Sequence, residues 1–176
     1  AYRDDELSVL FNEAAVNQLL KQANLRLWGN LRPNILVWFA YEQDFDRHLV
    51  AARDQLEWLE AFELQAERLA IPLLLPVMDL EDNMALSVND VWGQFDSALL
   101  QASARYATPL VLTVKQYQQG ASWQSQWRLI DSQSQTEIES GMVSGDLRSV
   151  AGELVSDLAP RLASRYGVLL DDSNSE

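Results

Sequence analysis

Ile35-Leu36-Val37-Trp38-Phe39-Ala40-Tyr41 is apolar at every position up to Ala40. Successive side chains of a strand point to opposite sides, so a strand without a polar face must be covered on both. This run is therefore read as a buried central strand, opened by Arg32-Pro33. Downstream, Gln43-Asp44-Phe45-Asp46 reads as a hairpin turn, and Arg47 to Ala51 as its returning edge. Asp54 and Glu57 have capping-box spacing, followed by Trp58, Leu59, Phe62, Ala66 and Leu69 at helical intervals. Ile71 to Val77 is a further strand. Ser87 and Asp90 again have cap spacing, ahead of a helical stretch to Tyr106 that buries Val91, Phe95, Leu99 and Ala102. Gly93 is expected to divide this stretch, with Asp96 recapping its second part.

The C-terminal part has a different rhythm. Pro109 to Val114 is a strand, and Trp123 to Leu129 alternates apolar with polar residues. Thr136 to Met142 forms the last strand of an antiparallel meander. Asp146 is expected to cap a long helix carrying Leu147, Val150, Leu154, Leu158, Leu162 and Tyr166, kinked at Pro160 and closed by Gly167. Upstream of Ile35, Leu7 to Phe11 reads as a strand and Asn12 as the cap of a helix bearing Val16, Leu19, Leu20 and Ala23. The order β-α-β-β-α-β-α-β-β-β-α predicts an α/β fold of mixed α+β character. It is a single domain over 1–170 with one mixed sheet and helices packed on it, and 171–176 form an acidic flexible tail.

Of 176 residues 48% are hydrophobic, enough for a core without disulfides or metals. There are 26 acidic and 13 basic residues, a net charge of −13, and no basic stripe, which argues against binding nucleic acid or anionic membranes. A basic partner or a cation would be attracted. With no cysteine, thiol chemistry and Cys-ligated zinc are excluded. The one histidine, His48, is expected on the surface; no G-x-S-x-G, G-x-G-x-x-G or P-loop pattern occurs. No transmembrane segment is present, and no cofactor is implied. The chain starts at Ala1-Tyr2-Arg3 without an initiator methionine, as expected of a fragment preceded by a leader or a further domain.

Two constellations remain. Asp79, Glu81 and Asp82 follow the third strand, where carboxylates could ligate a hard divalent cation or serve a ligand-dependent enzyme. Against this stands the reading of a solvated acidic loop. Trp123 and Trp127 share one strand face and could stack on a sugar, peptide or partner protein, or be covered by the last helix.

Leu27-Trp28-Gly29, Arg32-Pro33, Pro72-Leu73-Leu74-Leu75-Pro76, Asp79-Leu80-Glu81-Asp82, Val88 to Gly93 and Ala104-Arg105-Tyr106 resemble a proteobacterial family known as a domain of unknown function (DUF 2066). The resemblance runs from about Leu7 to Tyr166. It implies an exported, periplasmic protein with a region upstream, and it carries no catalytic residue. The element order is also similar to envelope α/β domains such as the amino-terminal domain of TolB and lipoprotein activators of cell-wall synthases. That similarity implies a non-catalytic envelope protein with an unknown protein partner.

Overall fold

A computed structural model describes residues 33–167. The expected strand Leu7–Phe11, the helix after Asn12, Trp28 and the tail 171–176 lie outside the described residues. The described elements are β1 (Ile35–Gln43), β2 (Asp46–Leu49), α1 (Glu57–Arg68), β3 (Leu73–Leu74), α2 (Leu80–Ala85), α3 (Val88–Trp92) and α4 (Asp96–Ser103). After a 3-10 turn at Ala104–Tyr106 come β4 (Leu110–Gln119), β5 (Ser122–Asp131), β6 (Thr136–Gly145) and α5 (Val150–Leu162).

One mixed sheet has the order β2-β1-β4-β5-β6. β1 runs parallel to β4 along one edge. Along its other edge it pairs in parallel with β3 at Ile35 and Leu36, then antiparallel with β2 from Ala40 to Gln43. The strands β4, β5 and β6 form the expected antiparallel meander. Ile35 to Ala40 are completely buried because both faces are covered. On one, Ile35, Val37, Phe39, Leu112 and Leu129 pack against α1 and α5. On the other, Leu36, Trp38, Val111 and Ile130 pack with Met78, Leu86, Val91 and Leu99 of the α2–α4 region. Trp38 can be buried because its indole N–H donates to Ser103 Oγ (2.8 Å), which in turn donates to the Leu99 carbonyl.

Several local expectations are corrected. Only Leu73–Leu74 of the Ile71–Val77 run is a strand, because flanking Pro72 and Pro76 have no amide to give a ladder. Asp54 does not cap α1. Its carboxylate accepts the Ala51 amide (2.8 Å) and closes the turn after β2, so α1 starts behind Leu56 with no side-chain cap. Ser87 and Asp90 do form a reciprocal capping box. Gly93 ends α3 as expected, but Phe95 is exposed as the residue before α4, and Asp96 spends its carboxylate on Arg128 (2.8 and 3.0 Å) rather than on a cap. Asp146 caps the turn that leads into α5, four positions before Val150, accepting from the Ser149 amide and hydroxyl. The last helix continues past Pro160 to Leu162 before widening into a π turn over Ala163–Gly167.

The meander is fastened to α5 at a close approach around Trp127, and Arg161 adds contacts to Ser140 and Glu139 of β6. Trp127 is 1% exposed, its indole N–H donates to Asp157 Oδ2 (3.0 Å), and the Arg161 guanidinium lies 5.0 Å from its ring centre. Opposite Trp127 on β6 stands Gly141. A Cβ there would sit 2.6 Å from Asp157 Oδ2 and 2.7 Å from Trp127 Nε1. Gly141→Ala is therefore expected to destabilise the fold by about 1–3 kcal/mol through overpacking. Denaturant unfolding measures this, and an unchanged midpoint would show that α5 does not press on β6 here.

Candidate functional site

Asp79, Glu81 and Asp82 are brought together at the start of α2, but the centre they surround is a guanidinium. Asp79 is the N-cap of α2, its Oδ1 accepting the Asp82 amide (3.0 Å). Arg105, from the 3-10 turn behind α4, donates to both Asp79 oxygens (2.8 and 3.1 Å) and to Asp82 Oδ1 (3.0 Å). Its Nε lies 3.5 Å from Glu81 Oε2. The neighbouring Tyr106 hydroxyl donates to Asp82 Oδ2 (2.5 Å) and accepts the Val77 amide (3.0 Å). The Met78 amide supplies Asp82 Oδ2 with a further bond (3.0 Å).

Asp82 is fully buried, so its charge needs this set of partners. The bidentate fork on Asp79 and the shared contact with Asp82 use the planar donor geometry that lysine lacks. The Arg105 and Asp82 amide bonds hold the Asp79 carboxyl down at about 2, and the same carboxylates raise the Arg105 guanidinium further. Burial, then the bond to Asp82, pushes the Tyr106 phenol up. The cluster can thus hold the β3–α2 loop against the end of α4 by charge-assisted hydrogen bonds. Among the described residues no group of three or more His, Asp or Glu side chains is set to hold a metal ion. Sequence reading missed Arg105 and Tyr106 as partners of the loop. They stand 23 to 27 positions beyond Asp79 and Asp82, and no spacing rule links them.

The cluster also turns α2 inside out. Its one buried residue is the carboxylate Asp82, whereas Leu80 is 75% and Met84 79% exposed. These two stand at i, i+4 on one helix face, and Val77 just ahead of them is also exposed.

Trp123 and Trp127 share a sheet face, as the alternation predicts. Trp127 lies in the core under α5, and half-buried Trp123 lies toward the far end of β5, opposite Gln118 and Gly145. His48 is exposed on β2, with its ring 5.2 Å from that of Tyr41. A groove of about 1050 Å³ at the other end of the sheet is lined by Pro33, Leu100, Thr108, Asp131 and Tyr166 among others. No described helix is long and apolar enough to cross a membrane.

No protein-family model matches the chain. No curated protein matches it either. Among solved structures it is similar to the C-terminal domain of LpoB from Salmonella enterica, at 17% identity and a TM-score of 0.41 over 65% of this chain and 83% of that one. It is similar to lipoprotein GNA1162 from Neisseria meningitidis, at 17% identity and a TM-score of 0.44 over 74% of this chain and 96% of that one. TolB from Acinetobacter baumannii matches at 15% identity and a TM-score of 0.43, over 74% of this chain but only 28% of its own.

The depressed carboxyl of Asp79 makes the cluster acid-sensitive in a defined window. A folded value of about 2 lies below the ordinary 3.8, so the stabilisation is complete above pH 3.8 and is lost as pH falls toward 2. Asp79→Asn keeps an N-cap acceptor but removes the charge. It is expected to flatten the dependence of stability on pH between about 4 and 2. Equal slopes for both proteins in acid denaturation would remove Asp79 as the source.

Proposed function

We propose that this chain is a non-catalytic, envelope-associated protein that acts through protein–protein contacts, with the outer side of α2 as a contact surface. The observation that carries this reading is the inversion of α2. A surface helix ordinarily turns its apolar side chains inward. Here Asp82 is held inward by Arg105 and Tyr106, and Leu80 and Met84 are left in water beside Val77. Apolar side chains grouped at the surface favour a partner that covers them. The net charge of −13 favours basic groups around the partner's apolar contact. The envelope setting is supported by the Pro72–Pro76, Asp79–Asp82 and Val88–Gly93 runs, which resemble the exported DUF 2066 family. That resemblance brings no activity.

The test is site-specific photo-crosslinking in an envelope extract from position 84. One reproducible adduct is expected, and Leu80→Ser should abolish it while leaving the unfolding midpoint within about 0.5 kcal/mol of the parent, since the side chain is exposed. No adduct, or an adduct indifferent to Leu80→Ser, would sink the assignment.

A further inference from the structure

Among the described residues one cation at an aromatic platform makes no ion pair. Trp92, the last residue of α3, is half-buried. The Arg47 guanidinium from β2 lies 4.5 Å from its ring centre and the Lys115 ammonium from β4 lies 5.0 Å from it. Tyr117 meets the same ring edge-on at 6.1 Å. Among the described residues Arg47 has one carboxylate partner, Glu42 at 3.3 Å. The ammonium of Lys115, the only lysine among the described residues, makes no ion pair or hydrogen bond there, although acids outnumber bases two to one.

Two like charges on one indole repel each other, and the ring's negative face offsets this only in part. Glu42 already offsets Arg47, so a second carboxylate, beside Lys115, would complete the balance. Strand register sets what lies beside it. Arg47 is opposite Glu42, Lys115 opposite Gln126, and Tyr117 opposite Gln124, all on the sheet side that carries α2–α4. Gln126 donates to the Tyr117 hydroxyl (3.1 Å) and is itself opposite exposed Met142. A half-exposed strip of amides, a phenol and a thioether thus leads away from the two cations, offering hydrogen bonds to a backbone and apolar contact to side chains.

We infer that Arg47, Trp92 and Lys115 form a docking point for a carboxylate side chain of an acidic peptide segment, laid along Tyr117, Gln126 and Met142. This rests on the interaction role proposed above in taking the partner to be a protein, and it places a second contact away from α2. An anionic membrane fits less well, because its extended negative plane would face the whole net charge of −13. A short peptide at physiological salt is screened from acids farther than about 8 Å and meets locally the two cations, one of them offset by Glu42.

The indole N–H resonances of the labelled protein report on the site, with the Trp92 signal identified by its loss in Trp92→Phe. Titration with a short acetylated glutamate-glycine peptide is expected to move that signal saturably, and added salt to reverse the shift. The matching glutamine-glycine peptide should leave it in place. Lys115→Gln and Arg47→Gln should each abolish the shift while the other indole signals keep their positions, which shows that the fold is intact. No shift with the glutamate peptide overturns the inference, as does a shift that survives both substitutions, or one produced only by phosphatidylglycerol vesicles. Failure here with an intact Leu80-dependent adduct at position 84 would remove the carboxylate dock alone; loss of that adduct would remove the interaction reading.

Discussion

β1 lies under helices on both sides, and the rest of the molecule answers to that burial. Six consecutive residues from Ile35 to Ala40 are closed to water. Each face must then be matched by its own apolar layer. α1 and α5 supply one as two long amphipathic helices. The other is assembled from three short helices of five to eight residues, which are too short to be stable alone. Their position depends on specific side-chain bonds: the Ser87–Asp90 capping box, the Asp96–Arg128 fork, Trp38 to Ser103, and the Arg105 and Tyr106 bonds to Asp82.

This difference between the two layers bears on function. The helix-rich side is conventional in its inside-out pattern, as shown by the apolar α5 stripe from Val150 to Leu162. On the short-helix side, polar bonds replace part of the apolar contact, and α2 directs a carboxylate inward and Leu80 and Met84 outward. A buried ionic cluster is weak evidence for stability on its own, since desolvation offsets much of the attraction. Its clearer consequence is geometric: it sets which side of α2 meets solvent. Leu80 and Met84 are therefore exposed apolar side chains of this layer.

Much of the fold was legible because periodicity is a local property. The double-sided burial of β1, the hairpin at Gln43–Asp46, the Ser87–Asp90 cap and the three-stranded meander all follow from side-chain alternation, turn composition or a three-residue spacing. Errors came where one side chain had two local uses. Asp54, Asp96 and Asp146 each had the spacing of a cap, yet one closes a turn, one grips Arg128 and one caps a turn upstream of its helix. The short extent of β3 was readable in principle from Pro72 and Pro76, whose missing amides limit any ladder.

By itself the sequence determined the class of fold, the strands that need cover, and the position of an acidic run after the third strand, because these depend on residue type and spacing along the chain; that the run is the N-cap and first turn of α2 rather than a solvated loop was not legible in it. Tertiary structure alone decided which donors reach that run. It brought Arg105 and Tyr106 to Asp79 and Asp82 across more than 20 intervening residues, joining these two carboxylates in a hydrogen-bonded clasp with Glu81 3.5 Å from the guanidinium. It also gathered Arg47, Trp92 and Lys115 from β2, α3 and β4. A carboxylate's role is set by which donors reach it in space, and strand crossovers and helix packing fix that, whereas periodicity fixes only which side of an element faces inward.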